Sequence, residues 1–224
     1  MRALARSVKK GAIRLSEGVQ SVDLEKKVAT TRNGAYHFER LVSSAPFPKL
    51  LGLCGVPFDP GVFTWNKVLV FNLGFSAKGP SGVHWMYFPD RARAFYRVGF
   101  YDNIFEADRM SLYVELGFPA DAPLDKKRIE DLKERVLAGL RAEGILTTQS
   151  LVAAHQVVMD PAYVHITQAS LRARRELGYR LEGAGVYSIG RYGGWTYCSI
   201  EDNIVEAAEL VKTKLGGPAG AFGT

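Results

Sequence analysis

Cysteine is scarce in this chain: Cys54 and Cys198 are the only two among 224 residues. Two thiols cannot build a disulfide framework, and neither stands in a Cys-x-x-Cys pair or near histidine at zinc-ligand spacing. Long apolar runs are missing as well. No stretch approaches the ~18 apolar residues of a membrane-spanning helix, and Met1–Lys10 carries positive charge without the apolar segment of a secretory signal behind it. A short surface helix is expected there, and a reducing, cytoplasmic setting for the chain. His37, His84, His155 and His165 lie singly in or beside strand-like segments, so none is assigned a catalytic or metal-binding role. The absence of a Gly-x-Ser-x-Gly elbow, a Walker sequence and a His-Glu-x-x-His helix leaves hydrolase and nucleotide-triphosphatase readings without support. No repeat recurs at a fixed period.

What is present is a folding composition: 47% hydrophobic residues, enough for one full core or two small ones. The formal charge is +6, with nine basic against four acidic side chains in the first forty residues, but Lys and Arg are dispersed among acids. Aromatics sit in strand-like runs such as Val68–Phe75 rather than between basic residues, so no nucleic-acid partner is expected.

Along the chain, Ile13–Leu15 and Gly18–Asp23 read as strands, and Lys27–Thr31 with Tyr36–Phe38 as a hairpin about Asn33-Gly34. Leu41–Ala45 is a further strand, and Pro46 and Pro48 open a short helix through Leu53. Four aromatic and β-branched strands follow, Lys67–Phe75, Val83–Phe88, Phe95–Phe100 and Ser111–Phe118, which predict an antiparallel sheet. Residues 125–143 form the clearest helix, with Asp125 as N-cap and Gly144 beyond its end. Val152–Asp160 and Tyr163–Thr167 read as strands broken at Asp160-Pro161. Ala169–Tyr179 reads as a basic helix carrying Arg172, Arg174 and Arg175, and a last helix runs from Asp202 to about Leu215.

Before that last helix, Val186–Ile189 reads as a strand, Gly190, Gly193 and Gly194 surround Arg191 in a turn, and Ser199 with Asp202 fits a capping box. A helix start of this kind directs the backbone N–H groups of Ile200, Glu201 and Asp202 at whatever precedes it, an arrangement suited to phosphorylated ligands.

Gly-Arg-Tyr-Gly-Gly-Trp-Thr-Tyr-Cys-Ser-Ile-Glu-Asp, residues 190–202, resembles the carboxy-terminal flavin segment of the FAD-dependent amine oxidase superfamily, particularly its protoporphyrinogen-oxidase-like and UDP-galactopyranose-mutase-like members. Glu17–Glu25, the Asn33-Gly34 hairpin, Leu41–Pro48, His84–Pro89, Phe95–Phe100 and Asp160–Val164 are similar to further segments of those enzymes, in the same order. The resemblance covers only their carboxy-terminal half. A Gly-x-Gly-x-x-Gly turn for the FAD pyrophosphate is absent; Gly183-Ala-Gly185 precedes a strand and lacks the third glycine.

The resemblance implies an α+β fold: an antiparallel or mixed substrate-domain sheet with flanking helices, plus the carboxy-terminal part of an FAD-binding domain lacking its amino-terminal Rossmann βαβ unit. It divides the chain into a partial FAD-binding segment (1–62), a substrate-domain-like sheet with helices (63–183), a carboxy-terminal FAD-binding segment (184–215) and a flexible tail (216–224). It implies FAD contacts at Val19 (adenine), Gly190 and Arg191 (pyrophosphate and ribityl region), and Ile200 and Glu201 (flavin pyrimidine edge). The isolated chain is expected to bind FAD weakly or not at all, and its partners to be a dinucleotide-binding half and a small-molecule substrate. Tyr87, Arg97 and Tyr163 are the candidates for substrate contact, set against a plainer reading of Arg97 as a solvated strand residue and of the tyrosines as core. Oxidase and mutase chemistry, a non-catalytic α+β binding module, and a truncated reading of a longer gene all stay open.

Overall fold

Alternation along Trp65–Phe75 places Leu69, Phe71, Leu73 and Phe75 on one face, where each is at most 1% exposed. In the computed structural model, which describes residues 2–216, this strand (β5) joins a five-stranded sheet with β6 (Trp85–Tyr87), β7 (Arg97–Phe100), β8 (Ser111–Pro119) and β9 (Leu151–Val164), in the order β6-β7-β8-β5-β9. Every pairing is antiparallel. Val98, Phe100, Leu112, Val114 and Leu116 extend the apolar face, and helix α4 (Lys126–Ala142) covers it with Leu132, Val136, Leu137 and Leu140. Asp125 caps α4 by accepting the Arg128 N–H at 2.8 Å. Gly144, at φ +69°, follows the helix end.

These elements make one compact unit, Thr64–His165; the second consists of residues 1–63 and 166–224. The second unit holds helix α1 (Arg2–Ser7), an antiparallel three-stranded sheet of β1 (Val19–Asp23), β2 (Val28–Thr31) and β3 (Gly34–His37), and a two-stranded parallel sheet of β4 (Leu41–Ser43) and β10 (Val186–Ser188). Helices α2 (Phe47–Leu53), α5 (Gln168–Gly183) and α7 (Ile200–Lys214) complete it. Phe47, Leu50, Leu51, Phe63 and Trp195 form its centre, with Phe63 edge-on to both Phe47 (5.5 Å) and Trp195 (5.4 Å).

Three local expectations need correction. Ile13–Leu15 is not a strand: Ile13 and Leu15 are 50% and 84% exposed, so no apolar surface rewards extension there. Asp160-Pro161 does not break the chain into two strands. β9 runs through it because the register slips between Asn66 and Val68 of β5, and an edge strand tolerates a bulge and a missing N–H. Residues 166–183 belong to the unit with β4 and β10 rather than to the sheet: Thr167 caps α5 and Leu181 is buried. Of the expected tail, residues 217–224 lie outside the described residues.

Candidate functional site

The glycine segment folds as a single helical turn, α6 (Gly190–Gly193), between β10 and α7. Gly190 takes φ +80°, a conformation that favours glycine, and a Cβ on Gly193 would lie 2.9 Å from Ser188 Oγ and 3.1 Å from the Ser43 carbonyl. The turn is tied from inside. The Gly190 N–H donates to Glu206 Oε2 at 2.7 Å, and the Arg191 N–H donates to Asn203 Oδ1 at 3.1 Å. Arg174 donates from Nε to the Gly193 carbonyl (2.9 Å) and from Nη2 to the Ser188 carbonyl (2.7 Å), while its guanidinium stacks 4.3 Å over Phe47. Burial lowers the Arg174 pKa, against the pull of Glu206 and Glu182.

Two parts of the turn point outward. The Arg191 guanidinium lies 4.5 Å over the Tyr197 ring. At the start of α7, Ser199 and Asp202 form the expected capping box, with Asp202 N–H donating to Ser199 Oγ at 3.1 Å and Ser199 N–H to Asp202 Oδ2 at 2.7 Å. The amides of Ile200 and Glu201 precede the helix's own acceptors, and Ile200 is 79% exposed. Elsewhere in this unit, Val19 borders a cavity of about 370 Å³ with Gly18, Val42, Ser43, Ser44 and Lys49. Cys54 is half-buried, and burial pushes its thiol up to about 11, which keeps it protonated and unreactive near neutrality.

In the Thr64–His165 unit, Arg97 and Tyr87 meet on the sheet face opposite α4. Arg97 Nη2 pairs with Glu115, and Nη1 donates to the Tyr87 hydroxyl at 3.3 Å. Tyr96 donates to the other Glu115 oxygen at 2.5 Å. The Arg97 side chain is 24% exposed and that of Glu115 only 6%, so this strand arginine is an ion-paired, half-buried one rather than a solvated one. Burial opposes its charge, but the bonds to Glu115 and Tyr87 prevail and raise its pKa. Tyr96 is held protonated first by burial and then by Glu115; Tyr113 is raised by burial despite Arg97. Tyr163 is half-buried on β9, with its N–H given to Asn66 Oδ1 at 2.9 Å. Tyr87 is 61% exposed.

The candidates therefore fall into three places: Val19 on its cavity, Gly190, Arg191, Ile200 and Glu201 around the turn, and Tyr87, Arg97 and Tyr163 in the sheet. Arg174, Asn203 and Glu206 hold the turn, and Glu115 and Tyr96 hold Arg97; none was singled out from sequence. Arg174 was in view only as part of a basic helix, and a carboxylate in an apolar strand is the signal that would have found Glu115.

No protein-family profile and no curated protein matches the sequence. The fold, however, is shared with solved structures. A reduced UDP-galactopyranose mutase superposes at a TM-score of 0.79 and 21% identity over 89% of this chain and 46% of its own. A protein named as a protoporphyrinogen oxidase, from Exiguobacterium sp. 255-15, gives 0.72 at 14% identity over 93% and 50%. A CLA-producing fatty acid isomerase from P. acnes gives 0.68 at 14% over 95% and 50%. The chain thus has the fold of part of a mutase, an oxidase and an isomerase, and spans about half the length of each.

Proposed function

We propose that this chain is the substrate-facing and flavin-capping portion of an FAD-dependent oxidoreductase of the amine oxidase superfamily, working with a dinucleotide-binding half. The observation that carries the proposal is the start of α7: a capped 15-residue helix whose Ile200 and Glu201 amides precede its own acceptors, set directly after the Gly-Arg turn. The fold likeness over 89% of the chain to a UDP-galactopyranose mutase supports it, together with the resemblance of residues 190–202 to the flavin segment of such enzymes.

The residues fit FAD in part. Val19 and its cavity suit the adenine end, and the α7 dipole stabilises negative charge beside Ile200 and Glu201. The Gly190 and Arg191 amides are occupied by Glu206 and Asn203, so phosphate contact falls to the Arg191 guanidinium rather than to the backbone. Bound flavin would supply the ring that takes and returns electrons. The chain's own residues bind, orient and exclude water. On the sheet of the other unit, Tyr113 stays protonated and Arg97 stays charged, while Tyr96 spends its proton on Glu115, so that face offers hydrogen-bond donors to substrate from Arg97 and its neighbouring tyrosines Tyr87 and Tyr113. Tyr87, Arg97 and Tyr163 are its proposed contacts. A UDP-galactopyranose-mutase-like isomerase part is the same proposal with a different reaction.

The internally tied turn favours a second reading, a cofactor-free α+β binding module, because it needs no ligand to hold its shape. Reconstitution separates the two. Mixed with an independently folded Gly-x-Gly-x-x-Gly dinucleotide-binding half, the chain is expected to retain FAD through gel filtration, with flavin absorbance co-eluting, whereas alone it retains little. Arg191→Ala is expected to weaken retention by the pair about tenfold, the equivalent of ~1.4 kcal/mol. If no such pairing retains flavin, the binding-module reading replaces this one.

A further inference from the structure

We infer that the sheet face opposite α4 selects an uncharged, ring-bearing ligand with an oxygen acceptor, and that Glu115 sets this selectivity by cancelling the charge of Arg97. The inference rests on the reading that this face meets substrate.

The strand register settles which side chains share the face: Tyr87 lies opposite Arg97, Arg97 opposite Glu115, and Gly99 opposite Tyr113. Extending that alternation across β8, β5 and β9, the other positions of this face carry apolar or uncharged polar side chains, apart from the His155 ring opposite Asn72. Arg97 and Glu115 are therefore the guanidinium and the carboxylate at the paired strand positions of this face, and they are paired with each other.

Such a pair acts on an approaching ion as a dipole. A carboxylate would leave water for a place where Glu115 repels it at nearly the range at which Arg97 attracts it, and a cation meets the converse. A neutral acceptor escapes that penalty. It also finds a donor: the exposed Tyr87 hydroxyl accepts from Arg97 Nη1 and keeps its own proton for a ligand oxygen, while the guanidinium lies 5.8 Å from the Tyr87 ring centre and 5.7 Å from that of Tyr113. Trp85 and Tyr87, 56% and 61% exposed on β6, add ring surface for stacking. The absent side chain of Gly99 leaves the space into which Tyr113 leans, since a Cβ there would lie 1.9 Å from that ring.

Three probes of one shape test the inference: benzamide, benzoate and benzamidinium, titrated into the full chain and followed by the NMR signals of Arg97 Nε–H and the Tyr87 ring. Benzamide is expected to bind about fivefold or more tightly than either ion. In Glu115→Gln, an isosteric change that leaves Arg97 unopposed, benzoate is expected to gain about tenfold relative to benzamide. Tyr87→Ala, at an exposed position, is expected to weaken benzamide severalfold without loss of folding. Should Glu115→Gln fail to fold, the wild-type comparison and Tyr87→Ala decide. Equal or tighter binding of benzoate or benzamidinium to the wild type overturns the neutral-ligand inference while leaving the face as a ligand site. If no probe moves either signal, the inference and the substrate reading of this face both fall, whatever the flavin reconstitution shows.

Discussion

Arg174 joins one carbonyl of the glycine turn and one at the end of β10 to an aromatic core residue, and its loss removes two charge-assisted hydrogen bonds from a half-buried position. At about 1.5–3 kcal/mol for a bond to a charged group, and without full additivity, Arg174→Met is expected to destabilise this unit by ~2–4 kcal/mol. Arg174→Lys should recover little, because an ammonium cannot span both carbonyls. Urea unfolding followed through the buried Trp195 reads the effect, and a change under ~0.5 kcal/mol contradicts it. Tyr96 gives a pH test of the other unit. Its pKa is raised from the ordinary 10.0, first by burial and then by the hydrogen bond to Glu115. The raised value means that its contribution to stability is complete below the unfolded pKa and is lost as pH rises through the folded one. An alkaline absorbance titration of the chain's ten tyrosines is expected to show a late fraction that ionises only with unfolding. All ten ionising together near pH ~10 would count against the Tyr96–Glu115 bond.

Helix α7 depends on its first turn. Ser199→Ala removes the acceptor of the Asp202 N–H and is expected to cost about 1 kcal/mol, seen as faster amide exchange confined to α7. Asp202 accepts from the Ser199 N–H and hydroxyl, which hold its carboxyl below the ordinary 3.8. That depressed value places its stabilisation above the unfolded pKa, with loss as pH falls through the folded one, so α7 should fray below about pH 4. Unchanged α7 chemical shifts between about pH 5 and about pH 2 would exclude this. In the sheet, Gly99→Ala is expected to destabilise β7 and β8 by ~1–3 kcal/mol through the clash with Tyr113, and Gly99→Ala combined with Tyr113→Ala should recover part of the loss. The α7 box and the α4 cap were legible because Ser-x-x-Asp and Asp-before-a-periodic-run are local signals. The course of β9 through Asp160-Pro161 was not. Its continuity depends on β5 as a partner, which no short window of sequence contains.

At the scale of the molecule, the chain folds into two compact units and covers about half of each fold relative. Apolar side chains stand in the open in each: Val42 is 44% exposed on β4, and Val152 and Val158 are 59% and 38% exposed on β9. Under the proposed function such surface binds an apolar dye in the isolated chain and loses part of that binding when the dinucleotide-binding half is added. Undiminished dye fluorescence in the reconstituted pair would contradict the pairing. Among the described residues no helix is long and apolar enough to cross a membrane.

The sequence by itself determined four of the five strands of the sheet, the caps of helices α4 and α7 and the position of the glycine turn, because hydrophobic period, capping pairs and glycine act over a few residues. Only the tertiary structure decided how that turn is held and how Arg97 is used. Glu206 reaches Gly190 from sixteen residues on, Arg174 reaches Gly193 from nineteen residues back, and Glu115 meets Arg97 from the neighbouring strand. A buried charge acts through whatever partner the fold brings within hydrogen-bond distance, and that partner has no fixed spacing in the chain.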